Sequence, residues 1–434
     1  MRSLYIKKSI AKFLFAVLST LPTILCATPA DMEQPHLPSP SIYRAYPPTN
    51  DAPAELAASI KRGEYLAKMG DCLSCHSDIK HNGESFAGGL AMKTPFGTFY
   101  TPNITPDKQT GIGAWTKQDF IRALKEGINP QGQNYFPVFP YVFFANMSDE
   151  DAGDLFTYLM NIPAVHAPNK PLPFPFNVPG ARLTLLGWKL LFYYPNTPLT
   201  ADPSQSKEWN RGKYLVDSLG HCSMCHTPLN PLGSPKAANY LTGGFIEGYW
   251  APNIGRDGLK SATVEEIDYV FTHNELINHA GPVAGPMAQV NVNSLAYLTD
   301  ADRLSIATYL KTVVSTEPNS LPPSNNPPTL ARGQRVYRQS CTICHQNGEM
   351  SAPLIGSAPS WFARLKENGL TTLYDHVING YNSMPVKGAC VTCSDNDIRA
   401  AVDYLLHESL SRSQWLDLQS APRSNHDVKD NHAK

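Results

Sequence analysis

Long apolar runs are missing beyond the first thirty residues: the longest, Leu183 to Tyr194, spans twelve residues and includes Lys189. A membrane-spanning helix needs roughly 20, so this stretch fits an interfacial or buried helix instead. A basic excess is missing too. Lys and Arg number 36 against 37 Asp and Glu, a formal net charge of -1, which excludes the electrostatic footprint of a nucleic-acid binder. No glycine fingerprint for a dinucleotide and no recognisable catalytic constellation is present, so the chain offers no substrate-oxidising site of its own. What remains is a globular composition, 42% hydrophobic and 17% charged over 434 residues. That length exceeds one ordinary core and suits about two to four domains. The 38 prolines point to rigid joints between compact units.

Residues 1–30 read as an export signal. Arg2, Lys7, Lys8 and Lys12 precede a short apolar core, Phe13 to Leu25, broken by Pro22, and small residues follow at Ala27 and Ala30. The apolar core is too short for a retained membrane anchor. Cys26 raises the alternative of a lipid anchor, but Leu25 before it is bulky where a lipidation signal wants a small residue. The expected location is periplasmic, at the outer face of the inner membrane.

The nine cysteines decide the class. Six fall into Cys72-Leu-Ser-Cys75-His76, Cys222-Ser-Met-Cys225-His226 and Cys341-Thr-Ile-Cys344-His345. This is the haem attachment pattern C-x-x-C-H, three times. Two thiols one helical turn apart can both form thioethers to the vinyl groups on one porphyrin edge, and the adjacent histidine then binds iron as the proximal ligand. A zinc half-site or a redox dithiol would also use C-x-x-C, but neither explains a histidine after every pair. Cys390 and Cys393 lack that histidine; in an oxidising compartment they read as a short structural disulfide.

Each motif is framed by a recurring pair of helices. Arg62-Gly-Glu-Tyr-Leu, Arg211-Gly-Lys-Tyr-Leu and Arg332-Gly-Gln-Arg-Val precede the motifs, and capping boxes Ser148/Asp151, Thr299/Asp302 and Ser394/Asp397 open a second helix after each. Tyr158, Tyr309 and Tyr404 lie ten residues beyond the caps. The expected fold is therefore all-α: three tandem cytochrome c domains joined by Pro-rich linkers. The expected boundaries are 53–167, 206–316 and 329–410, with linkers at 168–205 and 317–328 and a polar, poorly ordered tail at 411–434. Within that tail Trp415, Leu416 and Leu418 could form a weak surface anchor. The first two copies also share Phe86-Ala-Gly-Gly with Leu241-Thr-Gly-Gly, and Thr101-Pro-Asn-Ile104 with Ala251-Pro-Asn-Ile254. Such loops are expected to pass close over the porphyrin, where small residues or a fixed backbone are needed.

A methionine thioether opposite the histidine would complete each iron and raise its potential. Met384, before Pro385, and Met287, flanked by Gly285 and Pro286, precede their helix caps by ten and twelve residues. In the first domain Phe136 to Pro140 take the place of such a methionine, so Met147 beside the Ser148 cap is the candidate, with Met92 and Met160 as competitors. None of the ten histidines outside the motifs is given a ligand role.

With these motifs in place the chain resembles the triheme cytochrome c subunit of membrane-bound bacterial dehydrogenases, those of alcohol, gluconate, sorbitol and fructose. The resemblance runs from about Pro53 to Leu406. It is carried most by Gly88-Gly-Leu-Ala-Met-Lys-Thr-Pro-Phe-Gly97, Thr101-Pro-Asn-Ile-Thr-Pro-Asp107, Gly111-Ile-Gly-Ala-Trp115 and the joint Pro173-Phe-Pro-Phe176 with Trp188. Phe136-Pro-Val-Phe-Pro-Tyr141 matches a family motif that in some members reads Met-Pro-Tyr; Phe139 removes that ligand here. The third domain is more similar to small cytochromes of the c5 type. The resemblance implies three covalently bound haem c groups, a partner catalytic subunit with a flavin or quinone cofactor, ubiquinone as the acceptor, and contact with the periplasmic membrane surface. The competing readings are a stand-alone haem oxidoreductase, which needs an open iron site, and a cytochrome feeding a terminal oxidase without a dehydrogenase partner.

Overall fold

A computed structural model of the chain describes residues 44–193, 199–246, 249–279, 281–314, 327–346, 348–390 and 393–420. The export signal, Cys26, residues 315–326, which include most of the second joint, and the last fourteen residues lie outside them. The fold is largely helical, with two small antiparallel hairpins. In the first unit α1 (Ala57–Met69) leads into the first motif, β1 (Ala91–Thr94) pairs with β2 (Gly97–Tyr100), and α2 (Asp149–Met160) closes the unit. The first joint carries α3 (Thr184–Phe192). The second unit repeats the order with α4 (Lys207–Asp217), β3 (Gly244–Ile246), β4 (Tyr249–Ala251) and α5 (Asp300–Leu310). The third has α6 (Leu330–Val336), α7 (Asp395–Ser409) and a last helix, α8 (Arg412–Ser420).

The side-chain half of each capping box read from the sequence is made, but only Ser394/Asp397 closes reciprocally. The N–H groups of Ser148 and Thr299 donate instead to the hydroxyls of Tyr214 and Tyr65. The side chains of Ser148, Thr299 and Ser394 accept from the backbone N–H of Asp151, Asp302 and Asp397, satisfying donors that the first turn leaves open. The arginine–glycine pairs explain the helix crossings. A Cβ placed on Gly63 would lie 2.0 Å from the Asp154 carbonyl oxygen, on Gly212 1.9 Å from that of Ser305, and on Gly333 1.8 Å from that of Ala400. The Cβ atoms of Tyr158, Tyr309 and Tyr404 crowd the same three points. Only glycine lets the two backbones of each pair approach this closely. The preceding arginine fastens each crossing: Arg62 to Asp154 at 2.5 Å, Arg211 to Asp302 at 2.8 Å and Arg332 to Asp397 at 2.7 Å.

The apolar cores do not divide three ways. One continuous cluster runs through the first two units, from Ile60, Leu73 and Met147 to Leu215, Leu295 and Leu310. A second, around Val336, Trp361, Ile398 and Leu406, belongs to the third unit alone. A small third cluster of Phe99, Phe136 and Leu185 docks α3 on the first unit. The start of the tail is more ordered than expected: residues 412–420 are helical, and of the three expected anchor residues Trp415 and Leu418 pack on the third unit's core while Leu416 is exposed. Trp415 stands edge-on to His407.

Candidate haem sites

The three motifs share one local design. Cys72–Cys75, Ser223–His226 and Thr342–His345 are each a single helical turn, which sets both thiols of a pair toward one side. None of the six motif cysteines forms a disulfide. Burial pushes the thiols of Cys72, Cys222 and Cys341 up to about 12, far from the depressed thiolate of a redox dithiol. No group of three potential zinc ligands is assembled among the described residues, so the zinc reading finds no support. Cys390 and Cys393 are joined in a disulfide with 5.5 Å between their Cα atoms, as read from the sequence.

Each motif histidine is held by a prolyl carbonyl. His76 Nδ1 lies 2.8 Å from the Pro102 oxygen, His226 Nδ1 2.7 Å from that of Pro252, and His345 Nδ1 2.8 Å from that of Pro353. A carbonyl only accepts, so Nδ1 must donate and Nε2 keeps its lone pair. That is the tautomer an iron ligand requires. Burial pushes all three imidazoles below their ordinary value, which keeps them neutral.

The glycine- and proline-rich loops are the means of presenting those carbonyls. The N–H of Gly88 donates to the His76 carbonyl at 2.7 Å and that of Gly243 to His226 at 2.8 Å. Phe86 and Leu241, both at positive φ, receive the Ile104 and Ile254 amides at 2.9 and 3.0 Å. A Cβ on Gly88 would strike the Thr101 oxygen at 2.5 Å, and one on Gly244 the Cys225 oxygen at 2.4 Å. Backbone thus returns close beside each motif. The third unit reaches the same geometry by a shorter route, through Ile355 N to the His345 carbonyl at 2.9 Å.

The candidate methionines occupy different settings. Met147 has no exposed surface and sits in the first cluster with Leu73 of the motif. Met287 is half-buried on the helix Pro286–Asn293, entered through Gly285 at φ 65°. Met384 is half-buried in a tight turn, its backbone exchanging hydrogen bonds with Tyr381 at 2.9 and 3.0 Å. Of the competitors, Met160 ends α2 against the core and Met92 lies on β1.

Two orphaned hydroxyls suit a bound porphyrin. Tyr158 and Tyr337 have buried hydroxyls with no hydrogen-bond partner among the described residues. Each is close enough to the first cysteine of its motif, Cys72 or Cys341, for their charges to interact. Buried polar groups in folded proteins are rarely left unpaired, so these two await a partner that the described residues do not supply. The residues present therefore fit haem c.

Sequence reading missed how the first two units hold each other. Tyr65 of α1 donates to Asp302 at 2.6 Å and accepts from the Thr299 amide at 3.2 Å, at the cap of α5. In return, Tyr214 of α4 donates to Asp151 and accepts from the Ser148 amide at 3.2 Å, at the cap of α2. Burial opposes ionisation of Asp302, but hydrogen bonds from Arg211 and Tyr65 outweigh it and hold the carboxyl below its ordinary range. The turns before the two motifs also press together: a Cβ on Gly220 would meet Met69 Cε at 2.7 Å. The signal was present in the doubled Arg-Gly-x-Tyr pattern, which the third copy breaks with Arg335.

Comparison with known proteins agrees with this geometry. A sequence family described as cytochrome c oxidase, cbb3-type, subunit III matches residues 328–405. The chain is 34% identical to the gluconate 2-dehydrogenase cytochrome c subunit of Pantoea cypripedii, covering 76% of this chain and 79% of that one. It is 34% identical to the cytochrome c subunit of the alcohol dehydrogenase (quinone) of Gluconobacter oxydans, covering 69% and 67%. It is also 41% identical to a nicotinate dehydrogenase subunit of Pseudomonas putida, over 70% of this chain but only 26% of that much longer protein.

Proposed function

The chain belongs to the cytochrome c subunits of membrane-bound dehydrogenases, and from that premise we propose that it conveys electrons from a partner dehydrogenase to a membrane quinone. Haem c supplies reversible one-electron exchange at iron. Cys72 and Cys75, Cys222 and Cys225, and Cys341 and Cys344 would hold the three porphyrins as thioethers. His76, His226 and His345 would bind iron through Nε2, and Met147, Met287 and Met384 would supply the second iron ligands. The observation that carries this reading is the threefold repeat of a motif histidine fixed by a prolyl carbonyl. The partner's substrate is an alcohol, polyol or aldonate, and the acceptor is ubiquinone.

The joint between the first two units supplies the membrane contact on this reading. No helix among the described residues is long and apolar enough to cross a bilayer. On α3, however, Leu186, Leu190 and Leu191 are exposed, Leu190 by 83%, and Leu183 and Phe174 beside it are exposed by 68% and 80%. Lys189 turns away from that face, donating to the Gly127 carbonyl at 3.3 Å and to Asn134 at 2.7 Å. Trp188 is pinned to the Leu232 carbonyl at 2.9 Å. A helix fastened by its polar residues with leucines outward suits the periplasmic interface of a bilayer.

Isolation of the native complex tests the proposal. The expected result is a large flavin- or quinone-containing subunit with this chain, three haems per chain, and quinone reduction dependent on both. Rapid stoichiometric carbon monoxide binding at one haem of the reduced protein would favour a stand-alone oxidoreductase instead.

A further inference from the structure

The contact between the second and third units centres on β4. Downstream, β4 runs into Pro252, whose carbonyl accepts the Nδ1 proton of His226 at 2.7 Å. Along its length it packs on Tyr337–Cys341 and Thr342–His345, the two turns that carry the third attachment motif. At its start, Tyr249 donates its hydroxyl to Glu349 Oε1 at 2.9 Å, four residues beyond His345. The Tyr249 ring also lies under Gly285, where an added Cβ would meet ring carbons at 2.6–2.9 Å; Gly285 is two residues before Met287. The two methionine loops touch nearby, since a Cβ on Gly281 would lie 4.0 Å from Pro385 Cγ, next to Met384.

One strand of three residues therefore reaches the proximal carbonyl of the second site, the methionine loop of the same site, and the motif of the third. The matching hairpin of the first unit is spent elsewhere: a Cβ on Gly97 would face Pro173 of the joint at 3.5 Å, and one on Gly233 would face Phe96 at 3.5 Å. Electron tunnelling decays less steeply through covalent and hydrogen bonds than across van der Waals gaps, so a bonded bridge between two redox centres sets where exchange is fastest.

We propose that β4 is the electron-transfer junction between the second and third haems, with Tyr249 as its positioning residue. The inference rests on the ligand reading for His226 and His345. The step is a one-electron exchange in which one ferrous centre is oxidised and one ferric centre reduced, with no bond made or broken at Tyr249. The hydroxyl's part is to keep β4 seated on the third motif through Glu349.

The test is flash photoreduction of the oxidised full-length protein with less than one electron per chain, following redistribution among the haems in their visible bands. Tyr249→Ala is expected to slow one redistribution step by about tenfold or more, as misplacement of a reacting pair does. Tyr249→Phe and Glu349→Gln are expected to slow the same step less, equally, and without adding in the double variant. Tyr65→Phe, at the other interface, should leave that step unchanged. Haem counting and redox titration accompany each variant. Three haems at unaltered potentials with an unaltered rate in Tyr249→Phe and Glu349→Gln would overturn the junction, and so would equal slowing by Tyr65→Phe. Fewer than three haems in the unsubstituted chain would instead overturn the ligand reading beneath it.

Discussion

The first two units share a core and grip each other's helix caps, whereas the third keeps its own core and meets the second through β4 and the Tyr249–Glu349 hydrogen bond. Tyr65 and Tyr214 each leave their own unit to bind the other's cap. At the corresponding place the third unit has Arg335, and one of its buried tyrosines, Tyr374, donates within the unit to Asp403 at 2.5 Å. The loops differ in the same sense. In the paired units the carbonyl that holds the histidine comes 26 residues after it, by way of a hairpin; in the third it comes after eight. A single histidine-binding geometry is thus reached with and without the long loop. The extra chain in the first two units gives surface for association: to the joint in one case, to the third motif in the other.

The largest effect on this contrast should come from the crossing glycines. Gly212→Val places a branched side chain against a carbonyl 1.9 Å from the Cβ position, and overpacking of that kind costs about 3 kcal/mol or more. The expected outcome in calorimetry is loss of the joint transition of both paired units. Gly333→Val should remove only the third unit's transition, and equal damage to all three from either variant would erase the distinction.

Next in size is Met384→Ala. It should lower the midpoint potential of one haem and open that iron to carbon monoxide, leaving the other two potentials in place. Three unchanged potentials in a redox titration would remove Met384 from the ligand set.

Tyr65→Phe and Tyr214→Phe sharpen the comparison without adding bulk. Each deletes a hydrogen bond to a carboxylate worth about 1.5–3 kcal/mol, and denaturant unfolding should show the loss in the paired units alone. The two caps close one interface, so the double variant is expected to lose less than the sum.

The smallest effect is alkaline. Burial, helped by the hydrogen bond to Asp151, pushes the Tyr214 hydroxyl up to about 12, while an unfolded tyrosine titrates near about 10. The folded state thus holds the proton more tightly. Its stabilisation is complete below about pH 10 and is lost as pH rises through about 12. Unfolding curves of the native chain and of Tyr214→Phe should converge across that window.

Much of this was legible beforehand because it is local. C-x-x-C-H needs one helical turn and the caps need three residues; both are written within short windows. The cross-grip was not read, because the doubled Arg-Gly-x-Tyr pattern marks the tyrosines but not their partners, and Tyr65 and Thr299 stand 234 residues apart. The anchoring residues of the tail were legible as isolated apolar side chains in a polar stretch, and two of the three, Trp415 and Leu418, pack; the helix that carries them was hidden by its polarity. The Gly-x-Tyr spacing was visible, but that its glycine marks a backbone contact becomes plain only when the opposing carbonyl is in place.

The exchanged tyrosines also set a timetable. A chain that emerges from its N-terminus can close α1 on α2 once residue 160 has appeared, but the cap that Tyr65 grips arrives more than a hundred residues later. The first unit to be started is thus among the last to be finished, and contacts so distant in sequence are slow to form. The third unit's core and its helix crossing close within residues 330–410, and its upstream contact, β4, is already made when it emerges. A stalled or truncated chain ending before Thr299 would therefore present α1 with Tyr65 unengaged, whereas Tyr214 of α4 already has its cap at Ser148 and Asp151.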